Sequence, residues 1–80
     1  MSPRVVLITR AACHLCDEAR VVVASVCDEA GVVFEELDVD ADDALRAEHG
    51  DFVPVVLVDG VRRDFWQVDA GRLRAALGGD

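Results

Sequence analysis

Hydrophobic and polar positions follow one another along this chain with changing period, and each period predicts an element. Arg4 to Thr9 contains Val5-Val6-Leu7-Ile8, an aliphatic run without polar interruption, which predicts a strand covered on both faces. From His14 to Ala30 the apolar residues recur at Leu15, Ala19, Val22, Val23, Val26 and Ala30. That period is helical, and Gly31 stands where a C-cap belongs. Its many valines lower intrinsic helicity, so packing must hold this helix. Val32 to Val39 starts apolar and then alternates, as expected of a second strand near a sheet edge with one end in water. A right-handed crossover sets it parallel to the first.

Asp40 is expected to cap a short helix from Ala41 to His49, closed by Gly50, with Ala44, Leu45 and Ala47 as its apolar content. Phe52-Val53-Pro54 precedes a third apolar run, Val55 to Val58, and Asp59-Gly60 predicts a tight hairpin into a fourth strand from Arg62 to Trp66. Trp66 is read as apolar cover for that hairpin. Asp69 caps a last amphipathic helix to Leu77, carrying Leu73, Ala76 and Leu77, and Gly78-Gly79-Asp80 reads as a frayed tail. The order β-α-β-α-β-β-α describes one α/β domain over residues 1–80, a four-stranded mixed sheet with helices on both faces.

Composition narrows the picture. Eighty residues bury one modest core, and 52% hydrophobic content sets the chain apart from disordered segments. Sixteen acids against eight bases give a net charge of -8, and every base is Arg. Such a surface repels a phosphate backbone, and the doublet Arg62-Arg63 is too short to form a basic patch, so no nucleic-acid partner is expected. The mid-chain acids from Glu35 to Asp51 read as a solvated face. The first residues do not form a secretory core and no apolar run reaches membrane-spanning length, which predicts a cytoplasmic monomer without a membrane partner.

The chemistry-bearing stretch is Cys13-His14-Leu15-Cys16, set where the first strand ends and the first helix opens. Two thiols three apart, one capping a helix and one a turn inside it, are spaced for a reversible disulfide. In a reducing compartment an odd count of three cysteines reads as catalytic or metal-binding usage, not as a disulfide framework. Cys13 is the expected nucleophile: free N–H groups of the first turn and the helix macrodipole favour its thiolate, and Arg10 and a protonated His14 are expected to add positive charge. Cys16, deeper in the helix, is expected to be less ionised and to resolve the mixed disulfide formed at Cys13. Cys27 lies about 16 Å further along the helix, beyond disulfide reach, and reads as core.

Rival readings are a small metal-binding module, which also places Cys-x-x-Cys between a strand and a helix, and an adaptor with vestigial chemistry. Cys13, His14, Cys16 and His49 are the candidate ligands, but no second close ligand pair accompanies the cysteines, so no metal site is assigned. His49 reads as a surface residue at a helix end. The module's order, β-α-β-β-α-β, lacks the helix expected here between the second and third strands.

With these residues in place the chain resembles glutaredoxin-like proteins of the thioredoxin superfamily over nearly its whole length. The resemblance is carried by Thr9-Arg10-x-x-Cys13-His14-Leu15-Cys16 after the first strand, with Arg10 where glutaredoxins usually carry Lys. It continues in Val53-Pro54, at the position of the family's cis-proline facing the cysteines, and in Val55 to Val58 followed by Asp59-Gly60. It implies a thioredoxin-like fold of the glutaredoxin type and a thiol-disulfide oxidoreductase that reduces protein or mixed disulfides. It also implies Val53 and Pro54 as substrate-binding residues, pairing their backbone with an extended segment, and Asp69 near the site. No resident cofactor is implied; the reductant is glutathione or a thioredoxin-reductase-type system. Phe52 replaces the family's usual Thr, and Asp64 to Asp69 lacks its Gly-Gly pair, which favours the reductase over glutathione.

Overall fold

The uninterrupted aliphatic run becomes the second strand of a four-stranded sheet, with neighbours on both edges. The structure, a computed structural model, describes residues 3–78. Its elements are β1 (Val5–Thr9), α1 (His14–Ala30), β2 (Phe34–Asp38), a 3-10 turn (Val39–Ala41), α2 (Asp43–His49), β3 (Val55–Val58), β4 (Val61–Phe65) and α3 (Ala70–Gly78). The sheet order is β2-β1-β3-β4. β1 runs parallel to β2, with Leu7 beside Glu36, and antiparallel to β3, with Leu7 beside Val56. β3 and β4 pair antiparallel, and the register breaks between Val56, opposite Asp64, and Leu57, opposite Arg62, leaving Arg63 as the extra residue of a bulge.

Strand period divides the core into two layers. Val5, Leu7, Val56 and Val58 face α1 and α3, where they pack with Ala19, Val23, Val26, Cys27, Val68 and Leu73. Ile8 and Val55 face the other way and pack with Val39, covered by half-buried Val6, Leu45, Phe52, Val53 and Leu57. Cys27 is thus a core residue, 2% exposed. Gly31 ends α1 with φ 70°, its N–H donating to Asp28 and Cys27 carbonyls, a left-handed cap that glycine adopts without a Cβ penalty. Asp59 and Gly60 both take positive φ, 52° and 83°, as a type I′ hairpin requires.

Several expected boundaries move. β2 begins at Phe34, and β4 begins at Val61 and ends at Phe65, with Trp66 turned out of the strand by a φ of 59°. Trp66 is 52% exposed and is not core cover. The helix between β2 and β3 is present, but its cap is Asp42, whose Oδ1 accepts the N–H groups of Ala44 and Leu45 at 2.8 and 3.1 Å. Asp40 pairs instead with Arg10. His49 is buried, not a surface residue, and its Nδ1 has no hydrogen-bond partner among the described residues. Asp69 caps α3 as expected, accepting the Arg72 N–H at 2.8 Å. Gly78, read as the start of a frayed tail, is the last residue of α3; Gly79 and Asp80, the rest of that reading, lie outside the described residues. Among the described residues no helix is long and apolar enough to cross a membrane.

Candidate active site

Strand directions decide which loops meet. Because β1 and β2 are parallel while β3 opposes β1 and β4 opposes β3, one edge of the sheet collects the ends of β1, β2 and β4 and the start of β3. Residues 10–13, 39–42, 50–54 and 66–69 therefore share that edge. Arg10 and both cysteines, Val53-Pro54, and Asp69 come to it from three separate stretches of chain.

The turn into α1 sets the thiols. Ala12 takes a left-handed φ of 56°, an arrangement that costs a Cβ-bearing residue about 1–2 kcal/mol, and it swings the chain from strand to helix. Cys13 is the N-cap, with extended backbone, and its Sγ accepts the N–H of Cys16 at 3.2 Å. An N-cap sulfur held on a first-turn N–H stands where the helix dipole favours negative charge. Cys13 is half-buried and Cys16 fully buried. Burial first, and the hydrogen bond with Cys13 second, push the Cys16 thiol up to about 11. One thiol is open to a reactant, and the other keeps its proton.

Arg10 is a tie as well as a charge. Its Nε and Nη2 donate to Asp40 at 2.9 and 3.3 Å, and its Nη1 donates to the Gly50 carbonyl at 3.3 Å. The Asp40 hydrogen bond raises its pKa most, with smaller electrostatic contributions from Asp51 and Cys13. His14 is turned to water: its side chain is 88% exposed and its Nε2 lies 3.2 Å from Glu18 one turn on. The Asp69 carboxylate caps α3, and the Asp69 N–H donates to Asp64 Oδ2 at 2.8 Å. Asp64, itself buried, also receives Arg72 Nε and Nη2 at 3.2 and 3.1 Å, clamping β4 to α3.

The Val53–Pro54 peptide bond is cis. Pro54 is buried and Val53 half-buried, and Trp66 donates its N–H to the Phe52 and Pro54 carbonyls at 3.2 and 2.9 Å. Val53 itself makes no backbone hydrogen bond among the described residues. The periodicity of the sequence misses this association of Phe52 and Trp66 with the proline. The available signal is the pair Phe65-Trp66, since two adjacent strand residues cannot both face one core. A groove of about 200 Å³, lined by Leu15, Glu18, Ala19, Val22, Gln67 and Val68, runs beside the start of α1. Another concavity, about 350 Å³, is lined by Arg4, Glu29, Arg74 and the end of α3. It lies away from the thiol edge and carries no thiol. Among the described residues no group of three or more His, Cys, Asp or Glu is placed to hold a metal ion.

The sequence profile of the Glutaredoxin-like domain (DUF836) matches residues 4–78. The chain belongs to this glutaredoxin-like family. The uncharacterized protein Rv0508 of Mycobacterium tuberculosis is 42% identical over 80 residues, covering 94% of this chain and 82% of that protein. The X-ray structure of protein XcR50 from X. campestris superposes with a TM-score of 0.76 at 36% identity, covering 95% of this chain and 97% of that one. Thioredoxin 1 from Thermosipho africanus, at 14% identity, shares the fold with a TM-score of 0.67 over 94% of this chain and 90% of its own. The fold is thioredoxin-like, of the glutaredoxin-like kind, with Cys13 and Cys16 close together at the start of α1. Family, fold and thiol pair together point to redox-type chemistry.

Proposed function

We propose that this protein is a cytoplasmic thiol-disulfide oxidoreductase that reduces disulfides of partner proteins through Cys13 and Cys16. The observation that carries the reading is the pairing of a half-buried helix-capping sulfur, Cys13, with a buried Cys16 that retains its proton and donates its N–H to that sulfur at 3.2 Å. In the first step the Cys13 thiolate attacks one sulfur of the substrate disulfide. A mixed disulfide forms, and the other substrate sulfur leaves as a thiolate that takes up a proton. Cys16 then loses its proton and attacks the Cys13 sulfur, forming the Cys13–Cys16 disulfide and releasing the second substrate thiol. Two electrons and two protons pass from the dithiol to the substrate, and an external thiol or dithiol reductant restores the pair.

Arg10 supports the attacking thiolate through its field while it ties the edge together. His14 has no part in the scheme, since Glu18 holds it in solvent. Val53 offers free backbone N–H and C=O groups to an extended substrate segment, the short strand addition that its lack of backbone partners supports. The cytoplasm supplies the reducing environment in which such a dithiol is regenerated.

The decisive experiment uses two single replacements with a small disulfide-bonded protein as substrate. Cys13→Ser is expected to abolish reduction, and Cys16→Ser to stop at a mixed disulfide through Cys13, visible as an adduct by intact mass. Unchanged activity in Cys13→Ser would sink the proposal. Restoring the oxidised protein with glutathione and, separately, with a thioredoxin-reductase system identifies the reductant. Without Gly-Gly between Asp64 and Asp69 and with the Asp69 carboxylate capping α3, the reductase is the expected donor.

A further inference from the structure

β4 leaves the sheet through Phe65 and Trp66, and neither side chain is buried: Phe65 is 41% and Trp66 52% exposed. Trp66 is nonetheless firmly placed. Besides its backbone N–H on the Phe52 and Pro54 carbonyls, its indole Nε1 donates to the Asp51 carbonyl at 3.0 Å. Phe52 stacks on it with ring centroids 6.2 Å apart and meets Phe65 edge-on at 5.6 Å. An indole fixed by hydrogen bonds yet half in water is apolar contact surface ordered in advance, and such surface loses little freedom when something lands on it. Pro54, whose carbonyl accepts the Trp66 N–H of this shelf, lies at the end of the sheet that carries the thiols.

Charge indicates what the shelf receives. Six of the eight arginines, Arg4, Arg10, Arg20, Arg46, Arg72 and Arg74, pair with carboxylates. Arg62 and Arg63 form no ion pair among the described residues. Both are exposed on β4, and the Arg62 guanidinium lies 4.5 Å from the centre of the Phe52 ring, a cation–π contact that leaves its charge unneutralised. On the other flank of the thiols, the end of β2 and the chain after it present exposed Asp38, Asp40 and Asp42. The edge is therefore polarised, acidic at the end of β2 and, along β4, aromatic with two cations that form no ion pair among the described residues, Arg63 acting on Asp59 only through its field. In a chain of net charge -8, this shelf is where an acidic partner meets attraction.

We propose that the shelf docks an acidic, disulfide-bearing segment of a partner protein. An apolar residue of that segment lies on Trp66 and Phe65, its carboxylates lie by Arg62 and Arg63, and its disulfide reaches Cys13 past Val53-Pro54. The inference rests on the dithiol reading and extends it by naming the chemistry of the substrate.

The test uses the full chain, reduced, with two dodecapeptides. They are identical except that three Glu in one replace three Lys in the other; each carries one Phe and a central cysteine held as a mixed disulfide with 2-mercaptoethanol. The Glu peptide is expected to show the higher kcat/KM by about tenfold at low ionic strength, with the preference shrinking as salt screens it. The double replacement Arg62→Glu, Arg63→Glu is expected to reverse the ratio, which is an internal measure insensitive to partial unfolding. Trp66→Ala should lower kcat/KM for both peptides about tenfold, as loss of an aromatic anchor does, while Trp66→Phe retains most of it. Equal turnover of the two peptides by the natural chain, preference for the Lys peptide, or a double variant that still favours Glu would each overturn the proposal. Bis(2-hydroxyethyl) disulfide separates the two levels. If it is reduced while the peptides go undistinguished, the docking surface is wrong and the dithiol chemistry stands; if it is not reduced, the chemistry fails and the docking proposal falls with it.

Discussion

Leu7 and Ile8 are neighbours in β1 and both are fully buried, but they serve layers of unequal thickness. Leu7 faces α1 and α3, helices of 17 and nine residues, and belongs to the larger cluster of buried side chains. Ile8 faces α2, a helix of seven residues, and shares full burial in its cluster only with Val39 and Val55. The thick layer is the scaffold that holds α1, and therefore the cysteines, against the sheet. The thin layer tolerates a buried imidazole nitrogen without a partner among the described residues, a half-buried Phe52 and an aromatic shelf open to water. The half-exposed aromatic side chains thus gather on the side with less packing to lose, where exposed apolar surface conflicts least with stability.

The largest effects test the inequality directly. Leu7→Ala is expected to cost about 4 kcal/mol and Ile8→Ala about 2.5 kcal/mol, because a thin layer collapses more readily around a deletion. Urea unfolding of the two variants measures both, and equal losses would show that the layers are energetically alike. Next comes the cap of α2. Asp42→Ala should cost about 1 kcal/mol and speed amide exchange in α2 more than in α1; uniform acceleration would mean that α2 does not open on its own.

Acid should weaken the thick side through Glu36. Arg20 from α1 donates to it at 2.8 and 2.7 Å and Thr9 from β1 at 2.8 Å. The Arg20 hydrogen bond first, and that of Thr9 after the opposing effect of burial, hold this carboxyl below its ordinary value. A carboxyl lowered by folding stabilises fully above its unfolded pKa, about 4.3, and that stability is lost as pH falls through the folded value. The stability difference between the natural chain and Glu36→Gln should therefore shrink below about pH 4. A pH-independent difference would break the assignment. Smallest is His49→Leu, expected to be neutral or stabilising by up to about 1 kcal/mol, since it removes an unpartnered buried nitrogen. A clear loss in Tm would mean that this nitrogen has a partner in solution.

The element order, the Gly31 cap, the Asp59-Gly60 turn and the thiols at the mouth of α1 are legible in the sequence, because each depends on neighbours within a few residues. Three readings are not. Val39 to Asp43 offers three acids as caps, and local rules favour Asp40 as readily as Asp42; Arg10, 30 residues away, claims Asp40 and leaves Asp42 to the helix. His49 looks like an exposed helix end until the short α2 folds over the sheet and covers it. Trp66 has the size of a core residue, but β4 ends one position earlier, and the proline loop holds the indole out by its own carbonyls.

By itself the sequence determined the elements, the family resemblance and the position of Cys13 and Cys16 at the start of a helix, since periodicity, capping and turn chemistry act over short range. Only the tertiary structure decided which residues share an edge with the thiols. Arg10, Asp40, Val53, Pro54 and Trp66 are brought together by strand direction and register, which arise from long-range pairing. The same pairing left Arg62 and Arg63 as the arginines without an ion pair among the described residues, a matter of which acids end up within reach in space.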